Sequence, residues 1–188
     1  QSEWVNCLVF AALRATMAVR RHLGTRMKSS ILAAAAFALS LVSAPASAQD
    51  RPDPSLEPAY GTTGLVSGFD PDPFVTPIDA GGDYDASQLG VAGCVGFVAR
   101  APDYRINWTA GQTKLPLVFS VLSDADTTLV VNGPQGNWMC DDDSGNGALN
   151  PSITIADPAS GQYDVWVGTF QSGAAQKATL NVSELYSQ

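Results

Sequence analysis

Pro158-Ala159-Ser160-Gly161-Gln162-Tyr163-Asp164-Val165-Trp166-Val167-Gly168 is the stretch that decides the fold. A turn signal opens it, and Tyr163, Val165 and Val167 then recur at every second position, the period of a strand with one buried face. Upstream, Asp124-Ala125-Asp126 leads into Thr127-Thr128-Leu129-Val130-Val131-Asn132, a second strand-like run. Between the two lies Trp138-Met139-Cys140-Asp141-Asp142-Asp143-Ser144-Gly145, which sets three carboxylates beside a cysteine and a glycine turn.

The same period of two appears in Leu115, Leu117, Phe119 and Val121, and in Ala178, Leu180 and Val182. Further strands are expected at 60–69, 94–100, 104–109 and 152–156, with a short edge strand at 74–78 because Pro77 cannot donate to a ladder. Asn132-Gly133-Pro134, Asn150-Pro151, Asp157-Pro158 and Ser172-Gly173 punctuate the runs. Asp70-Pro71-Asp72-Pro73 reads as a turn, and Asp79 to Gln88 as an acidic, glycine-rich loop. No segment after residue 48 carries a sustained helical stripe. The expectation is an all-β chain, an antiparallel β-sandwich or jelly-roll-like fold of about eight to ten short strands.

The N-terminal part reads differently. Met27-Lys28-Ser29-Ser30, the apolar run Ile31 to Val42 and the small-residue site Ala46-Ser47-Ala48 form the pattern of a secretory signal peptide over 27–48. That run is shorter than the roughly 20 apolar residues of a membrane span. Residues 1–26, upstream of Met27, read as an extended leader or as untranslated sequence. Cleavage after Ala48 places Gln49 at the new terminus, with a proline-rich lead-in over 49–59, flexible or extended, and one domain over 60–188. The protein is therefore expected to be secreted, at the cell surface or outside it, with the periplasm as an alternative.

Past residue 48 the only basic side chains are Arg51, Arg100, Arg105, Lys114 and Lys177, against seventeen acids, for a net charge of −12. Nucleic acid is disfavoured as a partner, because phosphates need a basic surface. The two cysteines in this part, Cys94 and Cys140, read as a disulfide in an exported chain, the alternative being two buried thiols. The only histidine, His22, precedes the cleavage site. A Ser-His-Asp or Cys-His arrangement, or a His-ligated zinc, cannot be built without one, so no catalytic residue is assigned and the chain is expected not to be an enzyme, the alternative being a hydrolase that works with paired aspartates.

The acids themselves point to a hard cation. Two carboxylates about 4 Å apart repel by roughly 1 kcal/mol in water and about 4 kcal/mol at an effective dielectric of 20. Calcium takes six to eight oxygens in flexible geometry. Asp141 and Asp143 would point the same way from an extended segment, Asp142 would fold in at the Ser144-Gly145 turn, and Asp124 and Asp126 would share a face opposite. The alternative is a solvated acidic loop with no ion.

Residues 117–185 resemble bacterial pre-peptidase C-terminal domains, sandwich modules appended to secreted proteases. The resemblance rests on Asp124-x-Asp126 before an apolar strand, the acidic run Asp141 to Gly145, Asn150-Pro151, and Pro158-x-x-Gly161-x-Tyr163-x-Val165-x-Val167-Gly168. It implies a sandwich, calcium in some members, and binding or stabilising in place of cutting. Residues 1–188 include no stretch that reads as a protease domain. The expected function is a secreted, non-catalytic, calcium-stabilised module that binds an extracellular protein or polysaccharide. The alternative is a structural subunit that assembles with copies of itself into a filament or matrix.

Overall fold

The computed structural model describes residues 51–147 and 149–188. The signal peptide and the segment upstream of it lie outside the described residues. Among those described, eleven strands form two sheets: β1 (Thr62–Val66), β2 (Phe74–Ala80), β3 (Tyr84–Asp85), β4 (Phe97–Val98), β5 (Tyr104–Thr109), β6 (Leu117–Ser123), β7 (Thr127–Asn132), β8 (Trp138–Asp141), β9 (Ser152–Ile155), β10 (Gly161–Thr169) and β11 (Gln176–Ser183). The all-β expectation is met, with one strand more than the upper count.

The long alternating strand β10 is the hub of the larger sheet. Its first half pairs antiparallel with β5, its second half pairs with β7, and Thr169 at its end pairs with Phe97 of β4. Strand β8 adds to β7, β3 to β4, and β1 to β5. The smaller sheet runs β2-β11-β6-β9, all antiparallel. Strand β2, which carries Pro77, is at its edge as expected. One pairing departs from the antiparallel expectation: β1 and β5 run parallel. The chain leaves β1 for the other sheet at β2 and comes back through β3 and β4 before it reaches β5, and such a long connection is what a parallel pair requires.

The inward faces meet in one apolar layer. Ile106, Leu129, Val131, Val165 and Val167 of the larger sheet oppose Leu117, Phe119, Val121, Leu180 and Val182 of the smaller, all fully buried. Each such side chain contributes about 1.5–3 kcal/mol on burial. This is a sandwich-like arrangement, and it explains the period of two in β6, β10 and β11.

A second cluster lies on the other face of the larger sheet. Val130 and Trp166 are also fully buried, under a cover made by residues 84–99 that brings Ala86, Cys94 and Val98 onto them. The acidic glycine-rich loop expected at 79–88 is thus partly structured: Asp79 and Ala80 end β2, and a 3-10 turn at Ala86–Leu89 is capped by Asp85, which accepts from the Ser87 amide at 2.9 Å. Gly168 makes the close approach possible. A Cβ there would lie 2.3 Å from the Phe97 carbonyl oxygen and 2.7 Å from Val98. The disulfide Cys94–Cys140 staples the cover to edge strand β8, with Cα atoms 4.9 Å apart.

The proline-rich lead-in is docked, contrary to a flexible segment. Pro52 is buried, the Asp53 amide donates to the Arg100 carbonyl at 2.8 Å, and Tyr60 donates to the Asp103 carbonyl at 2.8 Å. Arg105 fixes the middle: its Nη2 donates to the carbonyls of Pro54 and Leu56 while its Nε pairs with the buried Asp164 at 2.6 Å. Among the described residues no helix is long and apolar enough to cross a membrane.

Candidate functional site

The five aspartates sit at one end of the sandwich, on the β6–β7 connection and on the turn after β8, but they do not share one centre. The β6–β7 connection bends at Asp124 and Ala125, so the period of two expected to put Asp124 and Asp126 on one face is broken there. Asp124 lines a surface groove of about 690 Å³ on the smaller sheet, beside Leu122, Lys177, Asp79 and Tyr60. Asp126 is not among the residues of that groove and lies near enough to Asp143 for the two charges to repel.

Asp141 folds its own turn. Its carboxylate accepts from the Ser144 amide at 2.8 Å, the Ser144 hydroxyl at 2.6 Å and the Ser152 amide at 2.8 Å. A short acidic side chain bonding backbone two or three residues on is the reason aspartate favours such turns. Residues 142–147 therefore bend away from β8 and do not continue as the extended segment that would align Asp141 with Asp143. Asn146 and Asn150 complete the loop: the Gly145 amide donates to the Asn150 carbonyl at 2.8 Å, and the Asn150 side chain accepts from the Ser123 amide at 3.0 Å.

The electrostatics single out three of the five. Burial and then Asp143 push the Asp126 carboxyl above its ordinary range. Burial, then Asp143 and Asp141, do the same for Asp142. Asp126, Asp142 and Asp143 thus form one region of mutual repulsion, with Asp141 occupied by turn donors and Asp124 on another surface. Among the described residues, no group of three or more His, Cys, Asp or Glu side chains is placed to hold a metal ion.

Two other surface features were not legible in the sequence. One is the groove around Asp124, where an exposed Lys177–Asp79 ion pair and the Tyr60 hydroxyl, which accepts from the Asp79 amide at 3.0 Å, sit on the outer face of the smaller sheet. The other is a cleft of about 350 Å³ between the lead-in and the β7–β8 turn, lined by Arg51, Asp53, Arg100, Asn132 and Trp138. Its parts are up to 87 positions apart in sequence, and only the docking of the lead-in brings them together. Trp108 and Trp166 are core residues, while Trp138 is half-buried and rests on Trp166 with ring centroids 5.2 Å apart.

Comparison of the chain with protein-family models and with curated proteins finds no match.

Proposed function

We propose that this chain is a secreted, non-catalytic sandwich module that binds an extracellular polysaccharide or protein. The observation that carries this reading is the architecture of its polar surface. Two open clefts, one with charged and aromatic residues and the other with an amide as well, flank a disulfide-stapled scaffold. The described residues contain no histidine, and both their cysteines are spent in the bridge. The likeness of 117–185 to pre-peptidase C-terminal domains supports the same reading, as does the export pattern at 27–48. The test is surface-immobilised binding against a panel of acidic and neutral polysaccharides and extracellular matrix proteins, with product analysis on each. Saturable binding without product is the expected outcome; bond cleavage in any polymer contradicts it.

Self-assembly is a second reading, favoured by the edge strand β1. Thr62-Thr63-Gly64-Leu65-Val66 carries no charge and no proline, and among the described residues it pairs only with β5. Such an edge lacks the usual devices against strand addition. Sedimentation velocity separates the two: a monomer at tens of micromolar supports the binder, and concentration-dependent polymers support the structural subunit.

Calcium enters this reading only through Asp126, Asp142 and Asp143, whose repulsion a divalent cation relieves. Binding needs the 142–147 turn to close on the β6–β7 connection. At ten times its dissociation constant, calcium is expected to add about 1.4 kcal/mol of stability by mass action, and Asp126→Asn with Asp143→Asn to remove the increment. A melting curve identical in calcium and in chelator leaves the turn as a solvated acidic loop.

A further inference from the structure

The cleft between the lead-in and the β7–β8 turn collects chemistry that the rest of the surface lacks. Of the five basic residues past residue 48, two, Arg51 and Arg100, line this one cavity. One carboxylate, Asp53, stands against them, and it is only loosely engaged: its distance to Arg100 is 3.9 Å. The other oxygen of Asp53 is taken by Ser55, through its hydroxyl at 2.6 Å and its amide at 3.0 Å. One net positive charge thus remains in a cleft on a strongly acidic protein, where it attracts an anion against the field of the whole.

Two more side chains give that anion a shape. Asn132 is only 7% exposed and lines the cleft. A hydroxylated ligand engages its amide from both the donor and the acceptor side. Trp138 supplies a flat apolar wall, held in orientation by its contact with Trp166. A cation pair for a carboxylate, an amide for vicinal hydroxyls and an indole for the apolar face of a ring together describe an acidic sugar. The volume of about 350 Å³ is at the lower end of the range for ligand pockets, so it accommodates one or two rings and not a long segment.

We infer that the cleft formed by Arg51, Arg100, Asn132 and Trp138 is a subsite for a uronic acid unit of an acidic polysaccharide. This rests on the binding-module reading above and names its ligand class. The carboxylate lies between the two guanidinium groups, which bind planar oxyanions through paired donors. The ring lies against Trp138, with its hydroxyls on Asn132. Affinity falls with salt, as expected of a partly exposed charge pair.

The test is titration of the purified protein with trigalacturonate and, in parallel, with maltotriose, a neutral trisaccharide, following tryptophan fluorescence and heat. The expected result is saturable binding of trigalacturonate, at least tenfold tighter than maltotriose, with a change in Trp138 emission. The double variant Arg51→Gln, Arg100→Gln weakens it at least tenfold, and Asn132→Ser weakens it to a lesser degree. Lys114→Gln with Lys177→Gln removes the same charge elsewhere and leaves affinity within twofold. Equal affinity for the two trisaccharides overturns the inference, as does no binding of either at millimolar concentration. Trigalacturonate binding untouched by the arginine pair also overturns the cleft assignment while leaving the binding-module reading in place. That reading fails separately, if no polymer of the wider panel is retained.

Discussion

Replacing Cys94 and Cys140 with serine is expected to lower the stability of the domain by about 4 kcal/mol, the chain-entropy value for closing a loop of this length. The bridge joins positions 46 apart in sequence. It also does something local. It fastens the 84–99 cover to β8, and beneath that cover lie Val130 and the fully buried Trp166, whose Nε1 donates to the Arg100 carbonyl at 3.4 Å. Without the bridge the cover is held by the two-residue ladders of β3 and β4 and by the apolar contacts of Ala86 and Val98. Urea unfolding of the variant should show a lower midpoint together with red-shifted emission from Trp138 and Trp166 before the main transition. A variant within about 1 kcal/mol of the parent, with unchanged emission, would mean that the cover is secured by packing alone.

The second large effect concerns pH. Asp103 opens the turn into β5 and is only 3% exposed. Its Oδ2 accepts from the Val167 amide in the middle of β10 at 2.6 Å, yet burial outweighs that bond and pushes its carboxyl from 3.8 up to about 7. Because burial favours the neutral acid, the folded state holds a proton that the unfolded chain has already released between pH 4 and pH 7. Stability from this group is fully present below pH 4 and is lost as pH rises through 7. At 1.36 kcal/mol per pH unit the window is worth on the order of 4 kcal/mol. Asp126 and Asp142 are raised as well and act in the same direction, so the profile of the parent alone does not isolate Asp103.

The variant Asp103→Asn isolates it. Asparagine keeps an oxygen to accept from Val167 and cannot ionise. The difference in unfolding free energy between variant and parent should therefore rise in favour of the variant from pH 4 to pH 8, by several kcal/mol, whatever its offset at pH 4. A difference that stays flat over that range would place the Asp103 titration in the ordinary carboxylate range.

The strands that could be read from the chain are those with an apolar run or an alternation beside a turn signal. Thr127–Asn132, Tyr104–Thr109 and Gly161–Thr169 fall on the expected runs, the first closed by Asn132-Gly133 and the last opened by Ser160-Gly161. Strand β8 was hidden because Trp138-Met139-Cys140-Asp141 has no alternation and runs straight into the acidic turn. The outer cover before residue 94 was hidden because its glycines and acids resemble a free loop by composition, while β4 falls inside the strand expected at 94–100. A signal for it existed nevertheless. Val130 and Trp166 are apolar on the faces where alternation calls for polar residues, and a continuous apolar run is what a strand buried on both sides requires.

The acidic residues were identifiable in sequence as a group, but not in their geometry. Whether five aspartates converge depends on how Asp141 spends its oxygens, and Ser144 and Ser152 take them in three dimensions. The arginine cleft could not be read at all from sequence. Arg51 belongs to a segment whose prolines suggest a free lead-in, and only the Arg105–Asp164 pair and the Pro54 and Leu56 carbonyls show why that segment lies flat on the domain.

Export into an oxidising compartment is the premise on which the binding reading, the bridge and the surface chemistry depend together. Non-reducing intact-mass analysis with N-terminal sequencing, on protein recovered from outside the cytoplasm of cells expressing the whole chain, tests it most directly. The predicted species begins at Gln49 and is two hydrogens lighter than the reduced chain. Protein found only in the cytoplasm, with its N-terminal segment intact and Cys94 and Cys140 as free thiols, would contradict it.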